Sequence, residues 1–173
     1  MKKSILLITV FLCSMAGLFA QPSFPASTPP ARNAADVISV FSDAYTNVIG
    51  TDFFPNWGQT TIVTDYTLFG NVMKKYANLN YQGVQFASTI DASSMTYLHV
   101  DVWATTTNAF DVYLINTNPP NPALVERKVT VTPTASAWKS VDIPLTSYSP
   151  VALNSLQQMK LVGTPSGTTV YLD

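Results

Sequence analysis

The segment Tyr97-Leu-His-Val-Asp-Val-Trp103 and its neighbour Ala109-Phe-Asp-Val-Tyr-Leu-Ile115 hold the densest grouping of side chains able to do chemistry in this chain. An imidazole (His99), two carboxylates (Asp101 and Asp111) and two aromatic rings (Trp103 and Tyr113) recur at alternate positions. Period two is the spacing of a β-strand, so these five point away from Leu98, Val100, Val102, Phe110, Val112 and Leu114. The apolar set is expected in the core. The other set is expected on a sheet face, where rings that cover apolar C–H surface stand among groups that exchange hydrogen bonds. Such a surface suits a flat, neutral, hydroxyl-rich ligand, and a saccharide meets that description.

Catalytic alternatives find little material. His99 is the one histidine and Cys13 the one cysteine, which excludes three-ligand His or Cys zinc sites and Cys-His nucleophiles. Gly-x-Ser-x-Gly and the phosphate-binding glycine fingerprints are absent. A Ser-His-Asp arrangement would need Asp101, which lies two residues along the strand from His99, about 7 Å away and too far to orient it. Glycoside hydrolysis needs two carboxylates facing one another about 5.5 Å or 6.5–9.5 Å apart. Asp101 and Asp111 on adjacent strands would be that pair, and a small hydrolase using them is one alternative reading. Glu126, the one glutamate, is flanked by Arg127 and Lys128 and is expected to be a solvated charge.

Other rings and amides join the binding candidates. Trp57, in Phe54-Pro-Asn-Trp-Gly58, is a loop residue that either overhangs a cleft rim or plugs the end of the fold. Tyr81 and Gln85 flank Gly83, whose missing side chain leaves room for a close approach. Trp138 is expected at a strand start, covering the core edge. His99 either contacts a sugar hydroxyl or makes a structural hydrogen bond. A hard cation such as Ca2+ is gathered by oxygen ligands from distant segments, and Asp43 and Asp173 would meet if the first and last strands are neighbours. No EF-hand spacing supports this.

The elements that must position these groups follow from the rest of the chain. Residues 1–20 have a basic start, an apolar run and Leu18-Phe-Ala20, and read as a signal peptide that exports the protein to the cell surface or medium. Residues 21–32 contain four prolines and read as an extended leader, and residues 33–173 as one domain. Beyond residue 20 no cysteine remains and no apolar run approaches the length of a membrane span. Seven of the nine Lys and Arg then stand against ten Asp and Glu, scattered rather than patched, so a nucleic-acid partner has no support. Charged residues make up only 11% of the chain, which suits uncharged partners. Strands are expected at 36–41, 60–66, 74–81, 84–90, 97–104, 110–116, 127–132, 138–144, 158–163 and from Val170, with a stiff turn at Pro119–Pro122 and one short helical turn in 153–159. Many short strands and no sustained 3.6 period indicate an all-β fold: a two-sheet antiparallel sandwich or jelly roll.

Asp36-Val-Ile-Ser-Val-Phe-Ser-Asp-Ala-Tyr45, Phe54-Pro-Asn-Trp-Gly58, Lys75-Tyr-Ala-Asn-Leu-Asn-Tyr-Gln-Gly-Val-Gln-Phe86, Leu98-His-Val-Asp-Val-Trp103, Trp138 to Leu145 and Val170-Tyr-Leu-Asp173 together resemble a known group. It comprises the non-catalytic, galactose-binding-like jelly-roll carbohydrate-binding modules of secreted glycan-degrading proteins from Bacteroidetes-type bacteria. The resemblance spans residues 33 to 173. Taken with the residues above, the expectation is a monomer that binds a neutral glycan, β-glucan ahead of α-glucan; the resemblance itself does not choose the glycan and implies a non-catalytic module often joined to a glycoside hydrolase or surface complex. It also implies a structural Ca2+ served by the closing-strand aspartate, here Asp173 with Asp43 as partner, and a closing strand that runs on past Asp173, so that the last strand here is truncated. The site expected is Trp103, Tyr113, Trp57 and Tyr81 as platforms with Gln85, His99 and Asp101 as polar contacts. The rival is a structural or adhesive spacer, in which Trp103 and Tyr113 lie beneath a loop or in the core.

Overall fold

The computed structural model describes residues 21–116 and 125–173. The expected signal peptide and the Pro119–Pro122 turn lie outside the described residues. Nine strands are described: β1 (Ile62–Leu68), β2 (Asn71–Leu79), β3 (Tyr81–Ile90), β4 (Tyr97–Ala104), β5 (Ala109–Asn116), β6 (Val125–Val131), β7 (Ala137–Pro144), β8 (Leu156–Thr164) and β9 (Thr168–Leu172). They form a five-stranded sheet in the order β1-β2-β9-β4-β7 and a four-stranded sheet in the order β3-β8-β5-β6, antiparallel throughout. The two-sheet sandwich is thus as the alternation indicates. Between the layers Val102, Phe110, Val112, Leu114, Ile143, Leu161 and Val170 pack with Tyr76, Leu79 and Phe86, each almost wholly buried.

Strand ends follow local chemistry. β1 turns into β2 through Phe69 and Gly70, both with positive φ (52° and 89°). A two-residue turn of that hand matches the twist of the strands it joins, and Gly70 adopts it without strain. β7 is an edge strand that ends on Pro144, whose ring nitrogen has no proton to offer a ladder.

One expected strand is absent. Residues 36–41 hold the end of a short 3-10 turn (Ala34–Asp36) and a single bridge from Ser39 to Asn47. Ile38 and Val40 do pack against the core. Their alternation serves burial, and among the described residues they pair with no strand beyond the Ser39–Asn47 bridge. Residues 21–30 likewise form no strand; they lie over the outer face of the five-stranded sheet, with Pro22 fully buried and Ala26 8% exposed.

Candidate functional site

β4 belongs to the five-stranded sheet and β5 to the four-stranded one. Both turn their apolar residues inward, as expected, but their other faces look out on opposite sides of the sandwich. Trp103 and Tyr113 therefore do not share a surface. Asp101 and Asp111 are separated in the same way, so they cannot face one another across a cleft, and the hydrolase built on that pair is overturned.

On the five-stranded side the polar and aromatic residues are engaged in structure. Trp103 is 4% exposed, packed edge to face on Tyr171 with centroids 5.5 Å apart and joined by Met73. This is the buried position that the spacer reading expects of it. Asp101 is buried, accepts a hydrogen bond from the Ser140 hydroxyl, and lies 3.4 Å from His99 Nε2. His99 Nδ1 is 2.7 Å from Asp142. Burial opposes protonation of this imidazole, but the hydrogen bond to Asp142 and the Asp101 carboxylate outweigh it and raise its pKa. Trp138 belongs to this outer cluster too, its indole N–H donating to the Phe24 carbonyl at 2.7 Å.

The four-stranded side gathers the other candidates. Register sets out three rows across the strands. One row runs Tyr81, Val162, Asp111, Thr130; the next runs Gly83, Lys160, Tyr113, Lys128; the third runs Gln85, Gln158, Ile115, Glu126. Neighbouring strands are about 4.8 Å apart, so each row spans roughly 14 Å. The missing Gly83 side chain is replaced by the Trp57 ring: a Cβ at Gly83 would meet that ring at 2.5 Å. Trp57 thus takes a place in the middle row, brought there from its loop. Its backbone N–H donates to Gln59 Oε1 at 2.7 Å and its carbonyl accepts the Tyr81 hydroxyl at 2.7 Å. The open question of rim or plug resolves to the sheet face.

Charge on this face is paired across strands. Lys160 donates to both Glu126 oxygens at 3.0 and 2.8 Å while its ammonium sits 4.1 Å from the Tyr113 ring centroid. Glu126 is therefore not a free solvated charge; its partner lies 34 residues away. Tyr113 has one ring face covered by a cation and offers its remaining surface and its hydroxyl. Gln158 Nε2 lies 3.4 Å from Gln85 Oε1, at the long limit of a hydrogen bond, which leaves both amides with capacity for a ligand. Of the seven expected ligand residues, Trp57, Tyr81, Gln85 and Tyr113 come together here, and Trp103, His99 and Asp101 do not. Lys160, Gln158, Lys128 and Glu126 share the same face without standing among the expected residues. The alternation Gln158-Met-Lys160-Leu-Val162 shows that two of them share a face, but not which sheet that face belongs to.

Asp111 fixes this face to the sheet. Burial opposes its ionisation, yet hydrogen bonds from Lys128 at 2.7 Å and Thr130 at 2.6 Å, together with the Lys128 charge, hold its pKa below the ordinary 3.8. A carboxylate more acidic in the folded than in the unfolded chain stabilises the fold above the unfolded pKa, and that contribution is lost as pH falls through the folded one. The urea midpoint is expected to hold through neutral pH and drop below about pH 4, with a shallower acid limb in Asp111→Asn. Superposable acid limbs for parent and variant would contradict this.

Asp43 and Asp173 line one cavity of about 300 Å³ with Asn71, Gly70, Ser27 and Thr28. Asp43 accepts from the Val72 N–H at 2.7 Å, and Asp173 from Asn71 Nδ2 at 2.9 Å. The other Asn71 side-chain atom, Oδ1, is buried without a hydrogen-bond partner. Burial raises the Asp173 pKa, and the Asp43 and Asp101 carboxylates add to it against the opposing Asn71 hydrogen bond. Two carboxylates, an orphaned amide oxygen and uncompensated negative charge fit a hard cation. Among the described residues no group of three or more His, Cys, Asp or Glu could hold a metal, so the neutral oxygens would have to complete the shell. No helix of the described residues is long and apolar enough to cross a membrane.

No protein-family model and no curated protein matches the chain. Solved structures do match. The family 30 carbohydrate-binding module of a cellulosomal cellulase from Clostridium thermocellum is 16% identical with a TM-score of 0.53, over 67% of this chain and 80% of that one. A carbohydrate-binding module specific for non-crystalline cellulose is 16% identical with a TM-score of 0.55, over 84% of this chain and 94% of its own. The family 11 module from Clostridium thermocellum, solved with a β-1,3-1,4-mixed-linked tetrasaccharide, is 15% identical with a TM-score of 0.50, over 72% and 84%. At these identities the likeness is one of fold: this chain has the jelly-roll sandwich found in several carbohydrate-binding modules.

Proposed function

We propose that the chain binds a neutral polysaccharide or oligosaccharide on the outer face of its four-stranded sheet, β-glucan ahead of α-glucan, without cleaving it. The observation that carries this reading is the Trp57 ring seated over Gly83, in line with Tyr113 and beside the amides of Gln85 and Gln158. A ring covers the C–H face of a pyranose while amides and charged hydrogen-bonding groups meet its hydroxyls. The similar modules named for non-crystalline cellulose and a mixed-linked β-glucan favour a β-glucan. Exported by residues 1–20, the module would serve to hold a linked glycoside hydrolase or a surface complex on its substrate. The spacer reading accounts for buried Trp103 but gives Trp57 no reason to lie on an outer sheet face. Affinity electrophoresis of the parent against a panel of soluble glucans tests the proposal; migration unchanged in every gel would sink it.

The cavity between Asp43 and Asp173 is the place proposed for a structural Ca2+, with Asn71 Oδ1 as the neutral donor. Because Asp173 is harder to ionise in the fold than in the unfolded chain, its charge destabilises the protein as pH rises past the ordinary carboxylate pKa of 3.8, and a bound cation removes that penalty. The melting temperature at pH 7 is expected to rise with added Ca2+ and fall with chelator. The increment should shrink toward pH 4, where protons compete, and vanish in Asp43→Asn. A melting temperature indifferent to both additions would overturn the site.

A further inference from the structure

The aromatic part of the outer face of the five-stranded sheet is covered by a peptide. Lys75, Tyr171, Trp103 and Trp138 fall on one cross-strand line, with Met73 and Tyr66 on the next. The rings stand edge to face, Trp103 on Tyr171 at 84° and Tyr66 on Tyr171 at 72°. Rings set nearly perpendicular to one another make no flat platform for a sugar, and an uneven aromatic surface of this kind suits prolyl rings and small side chains.

Residues 22–30 supply such side chains. Pro22 is fully buried and Ala26 is 8% exposed. Three aromatic side chains donate to backbone carbonyls of this one segment: Tyr66 Oη to Pro22 at 3.2 Å, Trp138 Nε1 to Phe24 at 2.7 Å, and Tyr45 Oη to Pro30. Prolines at 22, 25, 29 and 30 cannot donate to a ladder, and the segment forms no strand. Aromatic grooves that grasp extended proline-rich peptides use this combination of rings and donors aimed at carbonyls. Behind the segment, residues 30–36 are all exposed, an unpacked hinge carrying only the Ala34–Asp36 turn.

We propose that the outer face of the five-stranded sheet is a docking groove for an extended proline-rich peptide, that residues 22–30 occupy it within the chain, and that it accepts the same segment from a second copy. The tethered segment holds an effective concentration near the millimolar range, so exchange needs either a crowded surface or a severed hinge.

The test uses the full chain with a protease site placed between Arg32 and Ala35, and a fluorescent peptide of residues 21–31. After cutting, the released segment is expected to co-elute with the domain and to be displaced by excess peptide. The labelled peptide should bind the cut protein, about tenfold more weakly in Trp138→Phe, which keeps a ring but loses the N–H donor. A segment that elutes alone from a folded domain with no peptide binding would overturn the groove, as would equal affinity in Trp138→Phe. Should cutting unfold the domain, recovery of the fold on adding peptide supports the proposal and no recovery counts against it. Glucan retardation of the cut protein reads the opposite sheet, so the two proposals fail separately.

Discussion

Trp57→Ala is expected to weaken binding of whichever glucan retards the parent by about 2 kcal/mol, roughly a thirtyfold rise in Kd, with little change in stability. The ring is held in place before any ligand arrives. Hydrogen bonds at its own N–H and carbonyl, and an Asn56 side chain accepting from the Gly58 N–H at 3.1 Å, fix the loop that carries it. A fixed ring loses little freedom on binding, so more of the contact appears as affinity. Gly83→Ala is the sharper companion, because its new Cβ would meet the ring at 2.5 Å and move it without removing it. Titration calorimetry should show both variants weakened. Parent-like affinity in both would remove Trp57 from the site.

Trp103→Ala is expected to do the reverse: a large loss of stability with glucan affinity unchanged in the protein that remains folded. Truncating a buried tryptophan costs about 3–5 kcal/mol, from lost burial and the cavity left behind. Here the cavity would open in the cluster with Met73 and remove one of the two edge-to-face partners of Tyr171, leaving Tyr66. For a chain of this size that corresponds to a fall in melting temperature of roughly 6–20 °C. A parent-like melting temperature, or a selective loss of glucan binding, would contradict the placement of this ring.

The inward or outward sense of β4 and β5 is legible in their alternation, and so are the bounds of β4. Which sheet each strand joins is not. The four residues Thr105 to Asn108 look like a hairpin connection, yet in a sandwich a link that short equally well carries the chain from one layer to the other. That one crossing sends Trp103 and Tyr113 to opposite sides. Trp57 could not be placed by any period, because loops have none; Gly83, a glycine inside a strand, was the mark of something lying close over the backbone. The prolines of residues 22–30 read as a linker because they cannot pair, and the same inability lets the segment lie flat across a sheet without joining it. The sequence neighbours of Glu126 suggest a solvated charge, whereas that charge is answered across the intervening β5 by Lys160.

The separation of the three tryptophans between the two outer faces has an optical consequence. Trp57 lies alone over the four-stranded sheet, half-buried, where a ligand would change its surroundings directly. Trp103 and Trp138 are cross-strand partners on the far side, beneath or bonded to residues 22–26, with Tyr171 close enough to pass excitation energy to them. Intrinsic emission is thus divided into two channels, one sensitive to events on the four-stranded face and one to the seating of the proline-rich segment. Phenylalanine at one position or at the other two would let each be watched without any added dye.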